Sequence, residues 1–193
     1  YLVEGDPGTG KTTLALQFLL NGAAHGEPGL YITLSESQKE LEGVAESHHW
    51  PLQGVSIFEY TPTEESLRPE NEYSALHPSE VEFQDTVQSI LTKVEEVRPA
   101  RLVFDSLSEI RLLARNSLRY RRQVLALKHF FLNRHCTVLM LDDRTSEAHD
   151  LQLQSIAYGV LLLERFADPL PKGSLRVGPE RHRAAVSPRK PPL

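Results

Sequence analysis

Gly5-Asp6-Pro7-Gly8-Thr9-Gly10-Lys11-Thr12 is the stretch whose reading decides the fold. It satisfies GxxxxGK[ST] in full, with an apolar run, Tyr1–Glu4, before it and an amphipathic run, Lys11–Asn21, after it. Each residue type has a physical reason. The glycines let backbone N–H groups approach phosphate oxygens closely. A helix opening at Lys11 offers unpaired N–H groups and the positive end of its dipole to an anion. Lys11 is placed to reach β and γ phosphates, and the Thr12 hydroxyl to ligate Mg²⁺. Gly5, Asp6, Pro7, Gly8, Thr9, Gly10, Lys11, Thr12 and Thr13 are therefore the expected nucleotide-binding residues. A chance match in a glycine-rich turn would not need a strand before it and a helix after it.

Outward from this loop, short apolar runs alternate with longer amphipathic ones. Leu30–Leu34, Val55–Tyr60, Arg101–Asp105, Thr137–Leu141 and Gly159–Leu163 read as strands. Gln38–Ser47, Ser79–Val97 and Leu118–Arg134 read as helices, with Ser79 and Glu82 spaced as a capping box. Strands alternating with helices indicate βαβ units. Continuous apolar strands fit burial on both faces. The expected fold is α/β, a mainly parallel β-sheet flanked by helices. Thr61–Pro78 is polar with three prolines and reads as a long loop. Phe166–Leu193 holds six prolines and six Lys or Arg, and reads as a loose tail. The division is thus a core over 1–165 and a tail over 166–193.

The chain has 193 residues and a formal net charge of -5, a balance that argues against a dedicated nucleic-acid coat. The only cysteine, Cys136, excludes an internal disulfide and reads as a buried thiol in a reducing, cytoplasmic setting. No apolar run reaches the ~18 residues of a membrane span. The sequence opens inside an apolar run, so further residues are expected upstream of Tyr1.

Two acids suit phosphoryl chemistry. Asp105 ends an apolar strand, where P-loop proteins place the acid that holds Mg²⁺. Its plainer alternative is a helix N-cap. Glu36 follows the second strand and could orient or deprotonate a water in line with the γ-phosphate. Its alternative is a first-turn helix glutamate favoured by the dipole.

Glu4–Thr13, Tyr31–Glu36, Leu102–Ser106 and Ser155–Glu164, taken in order, resemble the KaiC-like branch of the RecA/RadA ATPase superfamily from Tyr1 to about Arg165. The resemblance implies a RecA-type P-loop NTPase core with ATP at a subunit interface, commonly in a hexameric ring. It implies Lys11 and Thr12 as phosphate and Mg²⁺ residues, Asp105 as the Walker B acid, and Glu36 as the water-activating residue. Relatives often carry two adjacent acids after the second strand; here the first position is Ser35. Relatives also continue from a strand like Ser174–Val177 into a Lys-x-Arg-Gly segment that gives cations to a neighbour's ATP. This chain reads Gly178-Pro179-Glu180-Arg181, so those cations are absent or supplied by Arg181 or Arg183.

Weaker features stay open. Asp142, Asp143 and Arg144 could sense a γ-phosphate or form an exposed turn. Arg119, Arg121, Arg122 and Lys128 could form a basic face or a solvated one. Trp50 could stack on adenine or pack in the core. Ser155 lies in a region where KaiC is phosphorylated, or is an ordinary polar serine. His48, His49 and His77 lack companions at metal-ligand spacing.

The leading expectation is an ATP hydrolase, Mg-dependent, whose nucleotide state changes assembly or binding of a signalling partner. The alternative is a nucleotide-dependent interaction module without turnover. A DNA recombinase-like ATPase would need basic loops, and Ser146–Ser155 contains no Lys or Arg.

Overall fold

The computed structural model of the chain describes residues 1–60, 78–114, 116–143, 151–166 and 181–188. The expected loop at Thr61–Pro78, His77, Arg144, the strand at Ser174–Val177 and the departure at Gly178–Glu180 fall wholly or almost wholly outside the described residues.

β1 (Leu2–Gly5) leads through the glycine-rich loop into α1 (Lys11–Ala23). β2 (Gly29–Thr33), α2 (Gln38–Ser47), β3 (Val55–Glu59) and α3 (Pro78–Val97) follow. Then come β4 (Arg101–Asp105), α4 (Leu107–Ala114), α5 (Ser117–Leu132) and β5 (Thr137–Asp143). α6 (Leu151–Ile156), β6 (Gly159–Phe166) and β7 (Arg181–Pro188) complete the order. One sheet takes the strands as β3-β2-β4-β5-β1-β6-β7. Every pairing is parallel except β6 with β7. The α/β expectation therefore holds.

Period-two alternation splits the strand residues between two faces. Leu2, Leu30, Ile32, Leu102 and Phe104 pack under α3, α4 and α5, against Ile90, Ile110, Val124 and Phe131. Val3, Tyr31, Val103, Leu139 and Leu141 pack under α1 and α2, against Leu16, Leu19, Leu41 and Ala45. Each fully buried Leu or Ile contributes roughly 1.5–3 kcal/mol. Asp105 shares the phase of Val103 along β4. That phase turns it toward α1, the helix the glycine-rich loop opens.

Several local expectations change. α3 begins at Pro78, so Ser79 lies inside its first turn and is not the N-cap; proline at the first helical position suits a helix start. α4 was not anticipated, because it starts two residues after β4 with no turn signal between. Leu151–Ile156 is helix, so Ser146–Ser155 is not loop throughout. Part of the segment read as a loose tail is ordered as β7, which pairs along β6 from Gly159 to Phe166. Cys136 is half-buried, and burial pushes its thiol up to about 11.

Candidate functional site

The register of β1 sets the site. Gly5 lies opposite Asp143 of β5 on one side and Leu163 of β6 on the other. A Cβ on Gly5 would stand 2.5 Å from Thr9 Oγ1 and 2.8 Å from Leu163 O, so only glycine fits. Asp6, Pro7 and Gly8 form the exposed crest of the loop. Thr9 turns back on it, its N–H and hydroxyl both donating to Asp6 O at 3.2 and 2.8 Å. Gly8 and Gly10 hold φ of 78° and 90°, the left-handed region that favours glycine. Gly10 caps α1 without a side-chain bond, and no acid stands in the first turn. The start of α1, beside Thr12 and Thr13, thus has no side-chain cap and no acid of its own to meet its first N–H groups.

Lys11 is nearly buried and its ammonium is engaged on three sides. It donates to Gly5 O at 2.9 Å and Asp6 O at 3.1 Å, and pairs with Asp143 Oδ1 at 2.7 Å. Arg165, at the end of β6, brings a guanidinium over the crest and donates from Nη2 to Gly8 O at 2.9 Å.

The acids gather where the sequence places them. Thr33 of β2 lies opposite Asp105 of β4. Its hydroxyl donates to Glu36 O at 2.6 Å and accepts from Glu36 N at 3.0 Å, turning the chain so that Glu36 aims at α1. Thr12 Oγ1 donates to Glu36 Oε1 at 3.5 Å. Glu36 Oε2 is buried with no hydrogen-bond partner among the described residues. α2 starts at Gln38 with Ser37 as its N-cap in a capping box with Glu40. Glu36 thus precedes the helix, and the first-turn acid is Glu40. Asp105 is buried at the end of β4 and accepts from the Tyr31 hydroxyl at 2.6 Å. α4 opens only at Leu107, so Asp105 ends a strand and is not positioned as its N-cap.

Electrostatically, burial outweighs the positive charge near the two acids. Burial raises the Glu36 pKa, with Asp105 and Glu40 adding to the shift, while the Thr12 hydroxyl and Lys11 oppose it. Burial likewise raises Asp105, opposed by the Tyr31 hydrogen bond. Tyr31 itself is pushed far upward by burial and by Asp105, so its hydroxyl is a permanent donor. Two carboxylates that are costly to ionise, an orphaned oxygen and a threonine hydroxyl are a donor set a hard divalent cation would satisfy.

Asp142 is buried. It accepts from Ser108 Oγ at 2.9 Å and pairs with Arg111 Nη2 at 2.7 Å. It is neither an exposed turn nor turned to the loop, whereas Asp143 meets Lys11. Trp50 packs at the edge of the α1–α2 core and stacks on His48 at 4.4 Å. Arg121 and Lys128 turn to Ser155 Oγ and Ile156 O, at 3.3 and 2.6 Å. The Tyr31, Asp143 and Arg165 contacts were not legible beforehand. The one available signal was the acid pair ending β5.

The chain matches the family described as "ATPase: KaiC" over residues 1–176. It is 26% identical over 153 residues to the circadian clock oscillator protein KaiC of Parathermosynechococcus lividus, covering 76% of this chain and 27% of that protein. It is 25% identical over 134 residues to a UPF0273 protein of Pyrococcus horikoshii, covering 65% and 54% respectively. The chain spans about half or less of the length of the curated relatives it matches. A crystal structure of a KaiC-like protein from Pyrococcus horikoshii OT3 superposes with a TM-score of 0.71 at 22% identity, over 97% of this chain and 77% of that one, and so shares the fold.

Proposed function

The chain belongs to the KaiC ATPase family, and from that premise we propose that it binds Mg-ATP at Gly5–Thr13 and hydrolyses it. The observation that carries this reading is the meeting of Thr12, Glu36 and Asp105 beside the start of α1, with Glu36 Oε2 buried and without a hydrogen-bond partner among the described residues. The loop N–H groups and the end of α1 cradle the phosphates. Lys11 exchanges its present partners for the β and γ oxygens. Thr12 and Asp105 would hold Mg²⁺, which would supply positive charge against the phosphates. Glu36 takes a proton from water as the oxygen attacks the γ-phosphorus and ADP leaves. Its upward pKa shift suits a base that must accept that proton near neutral pH.

The wider reading follows from the family. The chain works as a homo-oligomer, with a hexameric ring the expected state, in the cytoplasm. Its nucleotide state alters assembly or binding of a signalling protein partner. No helix among the described residues is long and apolar enough to cross a membrane. One observation favours a second reading, nucleotide binding without turnover. Ser35 stands exposed where relatives often carry the first of two acids, leaving a single carboxylate there.

Mg-dependent ATP turnover, measured beside Lys11→Ala and Glu36→Gln, separates the two. Turnover in the parent chain, lost in both variants, is the expected result. ATP binding with turnover no higher than that of Lys11→Ala would replace hydrolysis with the binding-module reading.

A further inference from the structure

An ammonium has three protons to donate. Lys11 spends them on Gly5 O, Asp6 O and Asp143 Oδ1. The first two acceptors are backbone carbonyls of the loop itself. The third is a carboxylate, and it is the closest of the three, at 2.7 Å.

Asp143 is held in that position by the sheet. Its Cα lies in register with Gly5, the first residue of the loop. Its N–H donates to Ser108 Oγ at 3.3 Å. The Lys11 side chain is 10% exposed and that of Asp143 34%, so the pair is shielded on one side and open on the other. A polyanion reaching Lys11 arrives beside this carboxylate. Like charges at such range repel, and one cation cannot serve both fully.

We propose that Asp143 is the internal counter-ion of the phosphate loop: it competes with the phosphates of a nucleotide for Lys11 and thereby sets how tightly the nucleotide is held. This rests on the reading of Gly5–Thr13 as a nucleotide site. Asp143 acts through Lys11 and is a positioning residue. It keeps the lysine folded over the loop when phosphate is absent and offers it a partner as phosphate leaves. The trade lowers affinity and eases nucleotide exchange.

Two neutral substitutions, Asp143→Asn and Asp143→Ser, test the idea, with ATP titrated by calorimetry in Mg²⁺ at fixed ionic strength. Glu46→Gln serves as a charge control: it removes one negative charge at an exposed position of α2, outside the loop. A one-sided, partly exposed ion pair gives an expected tightening of about fivefold for the Asp143 variants. The Glu46→Gln change should be clearly smaller. A folding role would loosen binding, so a gain separates competition from structural support. The proposal is overturned if folded Asp143 variants bind ATP no tighter than the parent, or if Glu46→Gln gains as much. Should the parent bind ATP while the Asp143 variants gain nothing, only this inference falls. If neither parent nor variants bind ATP, the nucleotide reading falls and takes the inference with it.

Discussion

Replacing Tyr31 by Phe removes one oxygen and nothing else. Tyr31 is fully buried, and its hydroxyl donates to Asp105 Oδ2 at 2.6 Å. Phenylalanine keeps the packing against α1, so the change acts only through the hydroxyl, which bonds Asp105 and also meets Thr12. A bond to a charged group contributes about 1.5–3 kcal/mol, and the abandoned carboxylate stays buried. For a chain of this size, a loss of ~2 kcal/mol lowers Tm by about 4–8 °C. The assay is thermal and urea unfolding with EDTA present, so that no cation stands in for the lost donor. In an Asp105→Asn background the same tyrosine donates to a neutral oxygen, and the deficit should fall to about 1 kcal/mol. The pH dependence has a definite sign. The bond favours the ionised carboxylate, so the Tyr31→Phe deficit is present above the folded Asp105 pKa and shrinks as pH falls through it. Burial raises that pKa, so the shrinkage begins at a higher pH than for an exposed aspartate. A Tyr31→Phe protein that melts within about 1 °C of the parent at neutral pH would refute this account of Asp105. So would an equal deficit in both backgrounds.

Asp105→Asn alone should stabilise the protein without ligand at neutral pH while weakening Mg-ATP binding. Burial raises the Asp105 pKa, so the stability tied to that shift is full at low pH and lost as pH rises through the folded value. The gain over the parent should therefore grow with pH in unfolding titrations; a gain independent of pH would contradict it. Arg111→Ala strands Asp142, whose side chain is 6% exposed, and should cost about 3–5 kcal/mol in urea unfolding. Burial also raises Asp142, so protonation relieves the stranded charge and the deficit should narrow in acid. An Arg111→Met, Asp142→Asn double variant should recover most of the loss, and failure to recover would place the cost in packing instead.

The glycine-rich loop was legible because its signal is local. Consecutive residues from Gly5 to Thr13 supply the turn, the left-handed glycines and the start of α1, and no distant contact is needed to recognise them. Asp105 and Glu36 were legible as acids at strand ends, since the alternation of apolar runs fixes where strands stop. The short helix α4 was hidden by its direct junction with β4, and β7 by its sparse apolar content. What pairs with what was not legible at all. Tyr31 meets Asp105, Lys11 meets Asp143 and Arg165 meets Gly8 across separations of 74, 132 and 157 residues.

By itself, then, the sequence determined an α/β chain with a glycine-rich loop between its first strand and first helix and acids at or just after the ends of its strands, because hydrophobic period and glycine placement act over a few residues. The tertiary structure decided which partners those groups meet. Strand order sets β1 beside β5 and β4 beside β2. Register then brings Asp143 opposite Gly5 and Asp105 opposite Thr33. These neighbours come from packing the whole sheet between two helical layers, a global minimum that no local run of residues encodes.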